Sequence, residues 1–368
     1  MQSDGVAASV APLETTNTFH FPSQANYIEA ERQLGEFLLA DDLDGKIEQE
    51  PALTQAFDSA LEAAINSAYK GEDSPEAHLF LQRVLYRINR LKLFWYDDLN
   101  FYKNERSEYL RRVRDRVEAE WQTWELDQLD VEKLKTLDVK EALMSRSAED
   151  LDPPASETGR FFRDEAREAA YRRLLEIFSL DGLVEASQLC RTMGGASNRV
   201  HEMLTRVLVE EYGGGRLHRK HSSYFKTMLD DLKMNAEPEG YFERTPWEVL
   251  ASINLSFLLS ERKLYFLRYI GGLMYTEVSV PAGFQHYRDT AARLGLSKEA
   301  MAYWDLHIKE DEKHGQWMLN DVALPLVDKY NGDAWQLLLG YDQQRFVSDR
   351  AATAIMREAR QADSQAAA

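Results

Sequence analysis

Apolar residues recur at intervals of three and four along most of the chain, which is the spacing of one face of an α-helix. The pattern is clear in YIEAERQLGEFLL, ALTQAFDSALEAAINSAYK and LFLQRVLYRINRLKLFWYDDLNFYK, which begin at Tyr27, Ala52 and Leu79. Segments that alternate apolar and polar residues are too short and too few to predict a sheet. The pattern therefore predicts an all-α protein.

Polar, glycine-rich and proline-rich stretches divide this helical pattern. Residues 1–19 are small and polar and are predicted to form a disordered tail. The stretch SRSAEDLDPPASETG predicts a linker at 146–158, between an N-terminal helical domain at 20–145 and a second helical domain at 159–350. In the second domain we expect breaks at SLDG, MGGAS, YGGG, AEPEGYFERTP, VSVPAG and YNGD. The polar end at 351–368 is predicted to be a fraying tail.

Charge and cysteine content narrow the range of functions. The 368 residues include 62 acidic and 44 basic side chains, giving a net charge of -18 that disfavours nucleic acid or an anionic membrane as a partner. Cys190 is the only cysteine, so an intrachain disulfide and a cysteine-rich zinc site are excluded, and we expect it to be a small buried residue. The sequence has neither a signal-peptide pattern nor an unbroken apolar span, which predicts a cytoplasmic protein.

The stretch YWDLHIKEDEKHGQW, Tyr303–Trp317, concentrates residues that bind metals. His307, Asp311 and His314 are spaced at i, i+4 and i+7, so one stripe of a helix carries all three. The alternative is a solvated helix face that happens to contain histidine.

Three glutamates lie in unusually apolar surroundings. Glu185 is in LDGLVEASQLC, Glu211 ends an apolar helix before YGGG, and Glu277 is in YIGGLMYTEVSVP. A buried carboxylate is costly unless a cation or a metal pairs with it. His221 and His286 are further candidates, although we expect His286 to be structural.

Carboxylates and imidazoles without thiolates suit iron or manganese in a helical bundle. Four carboxylates would balance the charge of two divalent ions, and neutral imidazoles would add nitrogen donors. The paired Glu-x-x-His motifs typical of such bundles are not present. The residues therefore predict a candidate dinuclear iron site formed by Glu185, Glu211, His221, Glu277, His307, Asp311 and His314.

The order of these residues resembles that of the heme-oxygenase-like diiron oxidases and oxygenases, which use the heme oxygenase helical fold without heme. Their pattern is a glutamate before a glycine-rich turn, a histidine ten residues later, a lone glutamate, and then His-x3-Asp-x2-His. The segments EEYGGGRLHRKH and HIKEDEKH, with Glu277 between them, follow this pattern within about 158–350. The resemblance implies that two Fe(II) ions, and no heme, are held by Glu211, His221, Glu277, His307, Asp311 and His314.

One subgroup of that family, N-oxygenases of the kind used in streptozotocin biosynthesis, has an additional carboxylate ligand. Glu185 stands where that seventh ligand belongs. The N-terminal region resembles the dimerisation domain of this subgroup, which implies a homodimer. The C-terminal cupin domain of the N-oxygenase used in streptozotocin biosynthesis is not expected here.

The resemblance implies a nonheme diiron N-oxygenase of natural-product biosynthesis. It would activate O2 through a peroxo-diiron(III) species and oxidise a nitrogen of a small amine or guanidine to a hydroxylamine, nitroso or nitro group. An external electron donor is then expected. The alternatives are oxidative C–C cleavage, decarboxylation or desaturation of an amino acid or fatty acid, and a non-enzymatic, metal-binding helical scaffold.

Two histidines compete for one ligand position. His218 follows Glu211 by seven residues, which would place both on one face of a continuous helix. However, Gly213, Gly214 and Gly215 intervene, and three successive glycines disfavour a helix. The family spacing also selects His221, so we expect His221 and not His218 to bind metal.

Overall fold

The structure is a computed structural model that describes residues 26–71, 73–93, 97–196 and 198–368. Within these ranges every regular element is a helix, so the predicted all-α class is confirmed. No helix in the described ranges combines the length and the apolar character that crossing a membrane requires. The tail predicted at 1–19 lies outside the described residues.

The first part of the chain contains seven α-helices in the described ranges. They are α1 (Tyr27–Leu39), α2 (Leu43–Gln49), α3 (Gln55–Ile65), α4 (Pro75–Arg90), α5 (Glu108–Leu126), α6 (Val131–Leu134) and α7 (Val139–Leu151). Short 3-10 turns cover Pro51–Thr54 and Leu99–Tyr102, and a π-helical turn covers Asn66–Lys70.

The second part carries the candidate ligands. Its α-helices are α8 (Glu157–Arg160), α9 (Glu168–Gly182), α10 (Ser187–Cys190), α11 (Arg199–Glu211), α12 (His221–Asp231), α13 (Trp247–Glu261), α14 (Phe266–Arg293), α15 (Lys298–Trp317), α16 (Leu324–Lys329) and α17 (Trp335–Ala366). The turns Gly213–Gly215, Leu217–Arg219, Phe242–Arg244 and Lys263–Tyr265 are 3-10, while Phe161–Glu165 and Met318–Ala323 are π-helical.

Helix α14 lies at the centre of the second part, where it packs along α15 and α17. The backbones of α14 and α17 meet at two glycines. A Cβ atom on Gly271 would lie 2.0 Å from the carbonyl oxygen of Leu337, and one on Gly340 would lie 1.9 Å from that of Arg268. Only glycine therefore fits at either position, and this close approach fixes α14 in place.

The break predicted at VSVPAG is wrong, because α14 continues through Pro281. Proline has no amide hydrogen, so it leaves the carbonyl of Glu277, four residues earlier, without its helical partner. Gly315 of α15 approaches that carbonyl, and a Cβ atom there would lie 3.2 Å from it. Packing against α15 and α17 keeps the helix intact where the local signal favours a break.

The predicted C-terminal tail at 351–368 is also wrong. Helix α17 continues to Ala366 and buries Ala354, Ile355 and Ala359. The carboxylate of Asp363 accepts hydrogen bonds of 2.8 Å from the backbone amides of Arg167 and Ala170. The end of the chain thus caps the start of α9, the helix that leads to Glu185.

The linker predicted at 146–158 is mostly helical, since α7 extends to Leu151 and α8 begins at Glu157. Arg146 pairs with Asp342 of α17 at 2.6 Å, and the hydroxyl of Tyr341 donates to Asp150 at 2.8 Å. The segment is therefore fixed against α17, and only residues 152–156 are free of helix.

One hydrophobic cluster combines residues of the N-terminal region with residues of the site-bearing region. Helix α4 packs against α13, where the side-chain amide of Asn254 donates to the carbonyl and the side chain of Gln82, each at 2.9 Å. Both residues are fully buried. The two regions therefore share a core, and the division into two domains stays a prediction.

Candidate metal centre

The glycine-rich turn brings the end of α11 against the start of α12. Gly213 has a φ of 62°, and a Cβ atom on it would lie 2.4 Å from the backbone of Arg219. The fold back at this point places Nδ1 of His221 2.9 Å from Oε2 of Glu211. Both side chains are buried.

Helix α15 carries three candidates on its buried face. Its start is capped by Ser297, whose hydroxyl accepts from the amide of Ala300 at 3.0 Å. His307, Asp311 and His314 are exposed by only 6%, 3% and 0%, so this face is not a solvated one. The alternative interpretation of this stretch, a solvated helix face that happens to contain histidine, is thereby excluded.

Two more glutamates approach from other elements. Glu277 lies in the middle of α14, is buried, and places Oε2 3.2 Å from Nδ1 of His314. Glu185 lies in the turn between α9 and α10, just before Ala186, whose φ is 63°. Its Oε2 lies 3.7 Å from Nε2 of His307.

The donor atoms form two groups that share Glu211. In each group the atoms lie within 4.8 Å of one another, so each group could hold one metal ion. One group consists of Glu185, Glu211, His221 and His307, and the other consists of Glu211, Glu277 and His314. Asp311 falls in neither group, but its Oδ1 lies 3.5 Å from Nδ1 of His314. The structure thus brings all seven predicted residues to one place.

Two carboxylate oxygen atoms at this site are buried without a hydrogen bond. Within the described residues, Oε1 of Glu185 and Oδ1 of Asp311 accept no hydrogen bond. Burial, and then the charge of Glu211, raise the pKa of Glu185 well above its usual value. Burial, and then the charge of Glu277, raise the pKa of Glu211 to about 8. Crowded carboxylates of this kind fit a positively charged occupant.

Two of the histidines are held neutral. Burial, and then the nearby His314, lower the pKa of His221 to about 4. Burial, and then His221, lower the pKa of His307 to about 3. Neutral imidazole is the form that binds a metal, so both are ready donors.

His314 behaves differently because carboxylates surround it. Burial lowers its pKa, but contacts with Asp311 and Glu277 outweigh burial and raise it to about 11. A cation among these carboxylates would displace that proton, since a metal ligand must be deprotonated. The oxygen and nitrogen donors, with no thiolate, fit iron better than zinc, which favours fewer ligands, or calcium, which favours oxygen alone.

Sequence reasoning missed Glu210. Its Oε2 lies 2.9 Å from Nε2 of His314, on the ring edge opposite the other carboxylates, and 2.7 Å from Nζ of Lys313. A metal-binding histidine commonly donates its second nitrogen to such a carboxylate, which fixes the ring orientation. That general rule was the only available signal, because α11 and α15 meet only in the folded chain.

Tyr303 makes both a polar and an aromatic contact at the site. Its hydroxyl donates to Oε2 of Glu185 at 2.7 Å. Its ring also belongs to an aromatic group beside His307, where the ring of Phe284 lies 5.3 Å from the His307 ring. Trp304 and Tyr287 complete this group. An apolar wall therefore borders one side of the site.

The remaining candidates lie elsewhere. His218 is exposed on the turn before α12, and His286 packs against Gly159 outside both donor groups. The expectation that Cys190 is buried is wrong, because it is exposed at the end of α10 with its Sγ atom 3.5 Å from the hydroxyl of Tyr212.

Comparisons with known proteins agree with this geometry. Residues 172–343 match the family model of an iron-containing redox enzyme. Over 181 residues, 49% of this chain, the protein is 28% identical to a nitrosourea synthase from Streptomyces achromogenes subsp. streptozoticus. The matched segment spans 38% of that relative's length. The resemblance predicted from the motifs is thus confirmed: over residues 172–343 the chain is similar to the iron-containing redox enzymes of the heme-oxygenase-like family.

Proposed function

We propose that this protein is a nonheme diiron N-oxygenase that uses O2 to oxidise an amine or guanidine nitrogen of a small metabolite. The observation that carries the proposal is the pair of buried donor groups sharing Glu211. A shared carboxylate suits two metal ions held close together. The similarity to an iron-containing redox enzyme family over residues 172–343 supports iron as the metal.

Glu185 is the reason to favour nitrogen over carbon oxidation. It belongs to one donor group with Glu211, His221 and His307, which supports its role as a seventh ligand. The resemblance associates this additional carboxylate with N-oxygenases. The similarity to a nitrosourea synthase, which extends over 38% of that relative's length, is consistent with this interpretation.

The reaction balances with one external reductant. One oxygen atom of O2 goes to the substrate nitrogen and the other leaves as water, which consumes two protons and two electrons from a donor protein or small reductant. The bound iron would supply the O2 chemistry. The neutral His221 and His307 and the buried carboxylates would hold it, and the aromatic wall around Phe284 would exclude water.

Iron content and product mass test the proposal. After anaerobic loading with Fe(II), the protein is expected to hold two irons per chain. Amine and guanidine compounds are then screened with 18O2 and a reductant, and a product that gains one labelled oxygen on nitrogen supports N-oxygenation. Products shortened by a carbon unit would instead support the C–C cleavage alternative. A protein that holds no iron would support a scaffold.

Substitution of Glu185 tests whether this residue is a seventh metal ligand. Glu185→Ala is expected to keep close to one iron and to lose the second, while Glu185→Asp, whose carboxylate is drawn back by one methylene, is partly impaired. Glu310→Ala is the matched control, because Glu310 is a glutamate beside Asp311 that pairs with Lys313 outside both donor groups. Two irons and normal turnover in Glu185→Ala would reduce the site to six ligands.

A further inference from the structure

Glu185 is the candidate ligand that lies outside a helix. The other six lie in α11, α12, α14 and α15, whose packing fixes their backbone, whereas Glu185 lies in the turn between α9 and α10. Ala186, which follows it, has a φ of 63°, a conformation that residues other than glycine rarely adopt. A long, flexible glutamate side chain on such a turn needs a contact from another element to fix its carboxylate.

Tyr303 of α15 makes that contact. Its hydroxyl donates to Oε2 of Glu185 at 2.7 Å, and the two residues are 118 positions apart in the chain. Oε1 of the same carboxylate is buried and accepts no hydrogen bond from the described residues. The hydroxyl of Tyr303 therefore fixes one carboxylate oxygen and leaves the other without a competing donor.

The backbone of Tyr303 contacts a second candidate ligand. Its carbonyl oxygen lies 2.9 Å from Nδ1 of His307. A carbonyl can only accept, so Nδ1 carries the proton and the neutral ring keeps its lone pair on Nε2. That Nε2 lies 3.7 Å from Oε2 of Glu185. One residue thus contacts two members of the donor group that also includes Glu211 and His221.

Aromatic packing fixes the ring of Tyr303. The residue is 4% exposed, and the rings of Phe225 and Trp304 each lie 5.0 Å from its ring in an edge-to-face arrangement. Phe225 also packs against the end of α9, where a Cβ atom on Gly182 would lie 3.0 Å from its ring. Gly182 precedes Glu185 by three residues. The packing that fixes the phenol therefore also joins α15 to the turn that carries the carboxylate.

A buried phenol beside Trp304 does not require a carboxylate of the metal centre as its partner. The hydroxyl of Tyr171, also fully buried, accepts from Nε1 of Trp304 at 2.8 Å and lies 3.6 Å from Sδ of Met228. Tyr171 thus satisfies its hydroxyl away from the donor groups, whereas Tyr303 directs its hydroxyl to a candidate ligand. The two tyrosines form a matched pair for substitution.

We propose that Tyr303 is a positioning residue for one iron: its hydroxyl orients the Glu185 carboxylate and its backbone carbonyl orients the His307 imidazole toward the same ion. This inference rests on the proposed function, in which Glu185 is the seventh ligand. Because the two contacts come from different atoms of Tyr303, substitution by phenylalanine removes the first contact and keeps the second.

Chelator competition on the anaerobic Fe(II) protein measures iron affinity separately from turnover. Tyr303→Phe is expected to weaken the binding of one iron about tenfold to a hundredfold, the usual effect of removing a group that orients a metal ligand. The other iron is expected to keep its wild-type affinity. Mössbauer spectra of the 57Fe-loaded protein should accordingly change for one iron and not for the other.

Tyr171→Phe is the control, because it removes a buried phenol hydroxyl whose partners in the described part of the chain are Trp304 and Met228. It is expected to hold both irons at the wild-type affinity. If Tyr303→Phe also held both irons at that affinity, or if Tyr171→Phe weakened one iron equally, the positioning role would be overturned.

The Glu185→Ala background tests whether Tyr303 acts through Glu185. That variant is expected to keep close to one iron. Adding Tyr303→Phe should leave the affinity for this iron unchanged, since the carboxylate that the hydroxyl orients is already absent. A further loss of affinity would show that Tyr303 supports the whole site by packing, which would overturn its assignment to Glu185.

These outcomes are separable from those of the proposed function. If Tyr303→Phe weakens one iron but no oxygen reaches nitrogen in the wild type, N-oxygenation fails and the positioning role stands. If nitrogen is oxidised and Tyr303→Phe holds both irons at the wild-type affinity, only the positioning role fails.

Discussion

The two ring nitrogens of His314 face different groups. Nδ1 faces the candidate ligands, with Glu277 at 3.2 Å, while Nε2 faces Glu210 at 2.9 Å. Glu210 therefore decides which edge of the ring is presented to a metal. It also joins His314 to Lys313, which pairs with both Glu210 and Glu310.

Removing Glu210 is expected to weaken iron binding without removing a ligand. Glu210→Ala should lower the Fe(II) affinity by about tenfold to a hundredfold, as for other carboxylates that orient a metal-binding histidine. Competition with a chelator measures this independently of turnover. Glu310→Ala is the control, since Glu310 shares Lys313 but not His314. Equal affinities in the two variants would show that Glu210 merely pairs with Lys313.

Metal content tests the choice between His218 and His221 as the ligand. His221→Ala is expected to lose iron, because His221 is buried against Glu211. His218→Ala is expected to keep the wild-type iron content, because His218 is exposed on the turn before α12. Metal analysis of both purified variants decides between them, and the opposite result would overturn the ligand assignment.

Individual site residues could be predicted from the sequence where metal-binding side chains also recur at helical spacing. His307, Asp311 and His314 follow one helical period, so their common face could be predicted. Glu210 could not, because its partner lies on α15 and only tertiary structure brings the two together.

Among the helices, α14 holds the site together. It supplies Glu277, continues through Pro281, and packs on α15 and α17. The sequence predicted the helix but also a break at the proline. A local rule gave the wrong answer there because the packing of two neighbouring helices compensates for one missing backbone hydrogen bond.

The contact between α14 and α17 is expected to tolerate no side chain at Gly271. Gly271→Ala places a Cβ atom against the carbonyl of Leu337, so the helices must separate, at a cost of about 1–3 kcal/mol or more in the free energy of unfolding. Gly272→Ala is the adjacent control: its nearest contact would be an ordinary 3.5 Å, and alanine favours the helix by up to about 1 kcal/mol. Urea denaturation compares the two. Equal stabilities would contradict the close approach.

On the scale of the whole molecule, the shared hydrophobic cluster joins regions that the sequence analysis separates into two domains. The proline-rich stretch at 152–156 is a real break in the helices, but the core continues past it. Local composition reports breaks in helices and cannot report which helices later share a core.

Calorimetry distinguishes one cooperative unit from two domains. Because α4 packs on α13 in the shared cluster, a single unfolding transition is expected. Fe(II), added without O2 at about a thousand times its dissociation constant, should stabilise that whole transition by about 4 kcal/mol. Two transitions, of which iron moves only one, would restore the two-domain division. Magnesium at equal concentration is the control for an ionic effect.

Truncation tests the role of the last helix. A chain ending at Arg350 loses the buried Ala354, Ile355 and Ala359 and the cap that Asp363 forms on α9. It is expected to lose several kcal/mol of stability, about 2–5 kcal/mol from the isoleucine alone. A chain ending at Ser364 keeps all of these contacts, and its melting temperature should match that of the full chain. Equal melting of the shorter chain would make 351–368 the tail that the sequence suggested.

The contact between Gln82 and Asn254 also has a consequence during synthesis on the ribosome. The two residues are separated by 172 positions, so α4 emerges long before the helix that covers it. At about 5–20 residues per second, its apolar face waits roughly 10–30 s for α13. During that interval the nascent chain presents a surface that chaperones recognise. The yield of active protein is therefore expected to depend on translation speed between α4 and α13 more than on speed after α13.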